Sequence, residues 1–187
     1  MNDIVIVSGL PRSGTSMMMK MLASGGLDVV TDNERKADID NPKGYFEFEA
    51  VKKIKQDSSW LQGMKGRAFK MVATLLMDLP EGSRYKVIFM RRAMPEMLAS
   101  QRKMLQRLGK EDSVDDAQME AYFTRHLQKV DSWLSGRKDI DVLNVDYSDI
   151  IDDPLGMAGR VSEFLGGGLD VGAMSGAVDS SLYRNRV

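Results

Sequence analysis

Thirteen residues near the start of the chain, Ile4-Val5-Ile6-Val7-Ser8-Gly9-Leu10-Pro11-Arg12-Ser13-Gly14-Thr15-Ser16, limit what it can fold into more than any other stretch. Four β-branched apolar residues predict a short buried strand. Gly9 and Gly14 then bracket four residues, the spacing of a phosphate-cradling loop, and the first turn of a helix is expected beyond them. A loop that curls before a helix turns several backbone N–H groups toward one point, where the helix N-terminus adds partial positive charge. Glycine permits the close approach and the unusual dihedrals that such a turn demands.

The pattern departs from the nucleoside-triphosphatase form at one position. After Gly14 that form requires lysine and then serine or threonine, whereas this chain has Thr15-Ser16. The lysine that reaches the outer phosphates is absent, and a cation stands earlier, at Arg12. A second departure follows the run Tyr85-Lys86-Val87-Ile88-Phe89-Met90, which reads as a central parallel strand. A strand that holds Mg²⁺ in such sites ends in an acid; this one ends in Arg91-Arg92. No metal is expected, and a site for a further phosphate group is.

The stretch Gly9 to Ser16 resembles the sulfotransferase P-loop, whose form is Pro-(Lys/Arg)-Ser-Gly-Thr-(Thr/Ser). The resemblance, to bacterial members above all, implies binding of PAPS, the adenylyl sulfate donor that carries a 3′-phosphate. It places Pro11, Arg12, Ser13, Gly14, Thr15 and Ser16 around the 5′-phosphosulfate. Arg92-Ala93-Met94-Pro95-Glu96-Met97-Leu98-Ala99-Ser100 resembles the family's second signature. There an arginine at a strand end and a serine eight residues later bind the 3′-phosphate, which implies that role for Arg92 and Ser100. Pro95 suits the first turn of a helix, and arginine offers phosphate a planar charged fork.

The general base is less sharply marked. Phe69-Lys70-Met71-Val72 resembles the Lys-Thr-His segment of the cytosolic sulfotransferases; Lys70 matches, but Val72 stands where that subgroup has its catalytic histidine. Asn41-Pro42-Lys43-Gly44-Tyr45-Phe46-Glu47 is similar to an Asn-Pro-x-Gly-(aromatic)-x-Glu stretch of some bacterial sulfotransferases, which makes Glu47 the first candidate. His126, the only histidine, has the better intrinsic pKa, yet it falls on the apolar face of a helix, where a packed core histidine is the plain alternative. Arg12 is the catalytic cation, placed to meet charge that develops on the leaving 5′-phosphate. Tyr147 follows the strand Asp141–Asp146 in a segment similar to the family's strand-then-tyrosine stretch, which sets it near the adenine. The tail Ser180 to Arg186 is similar to a Ser-Leu-x-Arg ending of bacterial relatives. Arg184 there either closes on the donor's phosphate or belongs to a frayed terminus.

Between these marks, strands alternate with helices. Helices are expected from Met17 to Ala23, from Val51 to Leu61, from Pro95 to about Leu108, and from Asp153-Pro154 to Leu165. Met119, Tyr122, Phe123, His126, Leu127, Val130, Trp133 and Leu134 space out a long amphipathic helix. Leu27–Val30 reads as a second strand and Phe69–Val72 as a third, with loops over Thr31–Gly44, Met77–Arg84 and Lys110–Asp116. This alternation predicts a P-loop three-layer α/β/α sandwich with a mainly parallel central sheet. Ligands in such sheets sit at the carboxyl ends of the strands, where the P-loop, Arg92 and Tyr147 all fall.

With 187 residues and a net charge of −1, one domain over residues 1–187 is expected, with no nucleic-acid partner and no membrane insertion. The apolar start is too short for a signal peptide or a membrane span, so a cytoplasmic protein is expected. Cysteine is absent, which excludes disulfides and thiolate metal sites. The fifteen methionines read as pliable core filler. The functional expectation is a sulfotransferase that moves a sulfuryl group from PAPS to a hydroxyl or amine of a small molecule or glycan. An atypical P-loop kinase using ATP and a non-catalytic PAP- or nucleotide-binding module are the alternatives. Neither the acceptor nor the oligomeric state is written in these motifs.

Overall fold

The computed structural model describes residues 2–32, 44–107, 109 and 115–182. Strand β1 (Ile4–Gly9) is buried along its whole length. It lies between β2 (Ala68–Val72) and β3 (Tyr85–Arg91), and β4 (Ile140–Asp146) extends the sheet beyond β3. All three pairings are parallel. The order β2-β1-β3-β4 makes the two most apolar runs the central strands, as burial on both faces requires.

Alternation along β1 divides the core. Ile4 and Ile6 join Phe69, Met71, Val87 and Phe89 on one face; Val5 and Val7 join Ile88, Met90 and Val145 on the other. Helix α1 (Thr15–Ser24) covers the second face with Met18, Met19, Met21 and Leu22, all fully buried. There α5 (Pro154–Phe164) and α6 (Val171–Gly176) pack beside it. Helices α2 (Met94–Arg107) and α3 (Asp116–Gly136) cover the first face through Met97, Leu98, Phe123, Val130 and Leu134. The result is the expected three-layer α/β/α sandwich; nine methionines are buried in its core, whereas Met77 is exposed. No helix among the described residues is long and apolar enough to cross a membrane.

Three local expectations are corrected. Leu27–Val30 forms a single parallel bridge, Val29 to Ala68, and not a strand. Val30 N–H reaches the Ala68 carbonyl and Ala68 N–H reaches that of Asp28; then Asp32 N–H bonds to the Glu47 carbonyl and draws the chain off the sheet edge. The expected helix Val51–Leu61 is instead two 3-10 segments, Glu49–Lys53 and Ser59–Met64. The Asp57 carboxylate accepts from Ser59 N–H and the Asp57 carbonyl from the Trp60 indole, a local turn that competes with continued helix. Part of the expected Met77–Arg84 loop is likewise a 3-10 segment, Ala73–Asp78. Helix α4 (Tyr147–Asp152) starts directly at the end of β4.

Register aligns the strand ends. Gly9 pairs with Val72 on one side and Met90 on the other, and Arg91 pairs with Asp146. The glycine turn, the end of β2, the Arg91-Arg92 pair and Tyr147 therefore emerge along one edge of the sheet.

Candidate functional site

At that edge opens a cavity of about 540 Å³, within the range of small-molecule sites. Its floor is the turn from Gly9 to Ser16. Gly14 caps α1 at φ 99°, a left-handed conformation that suits glycine. A Cβ there would lie 2.5 Å from the Tyr147 ring, and one on Gly9 would lie 2.7 Å from the Met90 carbonyl. Ser13 is buried and closes the turn from within, its Oγ donating to the Leu10 carbonyl at 2.7 Å. No polar side chain caps the N-terminus of α1, so its first N–H groups face the cavity end of the helix, the arrangement that attracts an anion.

Arg12 stands at the turn's tip with φ 68°, an uncommon value for a residue that is not glycine. Its Nε donates to Ser100 Oγ at 3.0 Å, so a buried serine of α2 reaches the loop eighty-eight positions before it. Because Ser100 accepts here, its own hydroxyl proton remains to be given to a ligand. Arg92 lies on the same side. Its side chain is 8% exposed, as is that of Glu96, and Arg92 Nε meets Glu96 Oε2 at 3.0 Å. Nη1 donates to the Arg12 carbonyl at 3.1 Å, and the guanidinium stacks 4.5 Å above the Tyr147 ring. Burial pushes the Tyr147 phenol up, against the pull of the Arg92 and Arg12 charges. Adjacent Arg91 turns the other way: it pairs with Asp131 at 2.5 Å and with Asn144. Of the two strand-end arginines, only Arg92 addresses the glycine turn.

The opposite wall comes from residues 44–53 and the end of β2. Glu47 lines the cavity, and its carbonyl accepts from Thr31 Oγ1 and Asp32 N–H, which pin the segment. Phe46 beside it has φ 52°, a second left-handed position without glycine. Lys70, marked in the sequence only through its likeness to a Lys-Thr-His segment, joins the site. Its Nζ donates to the Tyr45 carbonyl and lies 3.4 Å from Ser16 Oγ, and Ser16 bonds to the same carbonyl at 3.3 Å. The sequence signal for Lys70 is a lone cation inside the apolar run of β2.

The structure thus brings Pro11, Arg12, Gly14, Thr15, Ser16, Glu47, Arg92, Ser100 and Tyr147 to one cavity, with Ser13 directly beneath. It does not bring His126 there. That residue is on α3, stacked on Tyr122 with ring centroids 6.5 Å apart, and its Nε2 is buried without a partner among the described residues. Arg184 and Asn41-Pro42-Lys43 lie outside the described residues.

The curated proteins include no match to this sequence. Among solved structures, the sulfotransferase domain from the curacin biosynthetic pathway superposes with a TM-score of 0.58, covering 100% of this chain and 92% of its own, at 14% identity. The sulfotransferase domain from the Synechococcus PCC 7002 olefin synthase gives a TM-score of 0.53 over 98% of this chain and 79% of its own, at 14% identity. Mouse sulfotransferase SULT7A1 complexed with PAP gives 0.53 over 97% and 63%, at 16% identity. At these identities the likeness is one of fold. The family described as the sulfotransferase domain matches residues 2–185, so nearly the whole chain takes part in the match, and the protein belongs to the sulfotransferase family.

Proposed function

We propose that this sulfotransferase-family protein moves a sulfuryl group from PAPS to a hydroxyl or amine of a small-molecule or glycan acceptor. The observation that carries the reading is the contact of Arg92 with the tip of the glycine turn. It joins two groups suited to anions at one cavity, which supports the binding of one adenosine bisphosphate across both. The turn's N–H groups, Arg12 and Lys70 take the 5′-phosphosulfate. Arg92 and the hydroxyl proton of Ser100 take the 3′-phosphate, and Tyr147 covers the base. Complexes of mouse SULT7A1 and of retinol dehydratase with PAP support the same donor here.

Glu47 accepts the acceptor's proton as its oxygen or nitrogen attacks sulfur. The new bond to sulfur forms as the sulfur–oxygen bond to the 5′-phosphate breaks, and PAP departs with the electron pair. Charge that develops on the 5′-phosphate is met by Arg12 and the turn's N–H groups. One such donor supplies about 3–4 kcal/mol of transition-state stabilisation. The residues at the end of β3 are cations and not a metal-holding acid, and these steps need no metal ion.

Incubation with radiolabelled PAPS in EDTA and a panel of phenols, alcohols, amines and glycans tests the reading. Labelled product that depends on Arg12 is expected. PAP binding with no product from any acceptor would leave a nucleotide-binding module, and stabilisation only by ATP with Mg²⁺ would point to a kinase.

A further inference from the structure

The cavity's charge is out of proportion to the chain's. Over the whole sequence cations and carboxylates nearly cancel, 26 against 27. Among the described residues that line the cavity, seven are cationic and two carry carboxylates, and carboxylates behind the lining pair with two of the seven, Glu96 with Arg92 and Glu49 with Lys52. Arg12, Lys70 and Arg92 answer to the donor. Two others, Lys103 and Arg107, continue the face of α2 on which Ser100 lies, at helical spacings of three and seven residues. At about 1.5 Å per residue they run roughly 5–10 Å along the helix beyond Ser100, away from the glycine turn.

The cavity shared by this basic stripe and the turn also has an apolar wall. Val72 ends β2 directly beside Gly9 and is 41% exposed, toward the cavity it lines. Leu75, Val51 and Phe48 extend the wall on one side and Met104 on the α2 side. Apolar surface at the mouth of an anion site, bounded by cations farther out, fits a ligand that is apolar in the middle and charged at its far end.

We infer that the acceptor is an amphipathic anion. Its nucleophilic hydroxyl or amine meets the sulfur at the turn, its apolar body lies along Val72 and Leu75, and its carboxylate, phosphate or sulfate is held by Lys103 and Arg107. This rests on the sulfotransfer reading and narrows its acceptor to one chemical class. A charged end on a flexible apolar chain gains from two positioned cations what its uncharged ester cannot.

The test is calorimetric titration of the PAP-loaded full chain with ω-hydroxydecanoate and with its methyl ester, in EDTA. The acid is expected to bind at least tenfold more tightly than the ester. The double variant Lys103→Gln, Arg107→Gln is expected to erase that difference while PAP and ester affinities hold, and Lys103→Arg to retain it. Both side chains are exposed, so the melting temperature of the double variant is expected to match the parent; the single variants serve if it does not. Equal binding of acid and ester, or binding of neither, overturns the inference. So does a loss of PAP affinity in the double variant, which would assign the pair to the donor. Failure of the parent chain to bind PAP at all overturns the functional reading instead.

Discussion

Arg92 Nη1 donates to the main-chain carbonyl of Arg12 at 3.1 Å, so the end of β3 and the tip of the glycine turn form one unit. Register explains how. Gly9 and Met90 are paired partners on adjacent parallel strands, and each chain runs only two or three residues further before the contact is made. The left-handed backbone at Arg12 turns its carbonyl to Arg92 while its side chain reaches Ser100.

Arg92→Lys keeps the charge that buried Glu96 requires but loses the fork and the stack on Tyr147. PAP affinity is expected to fall about tenfold or more, the scale of one charge-assisted bond. Binding of adenosine 5′-phosphosulfate, which lacks the 3′-phosphate, is expected to change little. Equal losses for the two ligands would show that Arg92 does not read the 3′-phosphate. Arg92→Ala is the poorer probe, because a stranded Glu96 carboxylate alone destabilises by about 3–5 kcal/mol.

At Gly14 a methyl group meets two obstacles, a left-handed backbone and the Tyr147 ring at 2.5 Å. Gly14→Ala is expected to cost about 1–3 kcal/mol from the backbone alone and to abolish PAP binding by moving Tyr147. Denaturant titration and calorimetry read the two effects separately. A variant of parental stability and affinity would mean that the turn is not held as described.

Glu47→Gln is expected to slow sulfuryl transfer by about 10²–10⁴-fold, the usual worth of a positioned base, with PAP affinity unchanged. His126→Ala is expected to leave the rate alone, since its ring sits against Tyr122 on α3. The opposite pair of results would move the base to His126.

Why some of this was legible in the sequence and some was not comes down to the range of the forces involved. β1 and β3 announce themselves because a strand covered on both faces must be apolar throughout. The Gly9–Ser16 turn is legible because its dihedrals need glycine at fixed positions. The bridge at Val29 is not, because its fate depends on Asp32 bonding to Glu47 fifteen residues later. The broken helix after Glu49 turns on the Asp57 carbonyl and carboxylate, a local competition that hydrophobic spacing does not register. Helix α6 is hidden by its two glycines and is held by an Asp170 cap and by Met174 packed on Gly25. His126 falls at an apolar helical spacing whether or not that face meets the cavity, so only tertiary packing decides its place.

Away from the site, Arg137 ties the junction of α3 and β4 to the segment ahead of β3. It donates to the Leu79 and Pro80 carbonyls at 2.9 and 3.1 Å and forks onto Asp139. Arg137→Ala is expected to cost about 2–3 kcal/mol in denaturant melts and to leave PAP affinity unchanged. The hydrogen bonds from Arg137 hold the Asp139 carboxyl below the usual range. That contribution is present above about pH 4, the unfolded value, and is lost as pH falls through the lower folded one. The acid limb of the stability profile is expected to flatten in the variant, and an unchanged limb would contradict the pairing.

The central claim is that two anion pockets hold opposite ends of one nucleotide. Calorimetric titration in EDTA with PAP, adenosine 5′-phosphate and adenosine 3′-phosphate tests it most directly. PAP is expected to bind at least tenfold more tightly than either monophosphate, because each lacks the group that one pocket holds. PAP binding no more tightly than adenosine 5′-phosphate would contradict it and leave the glycine turn as a single phosphate site.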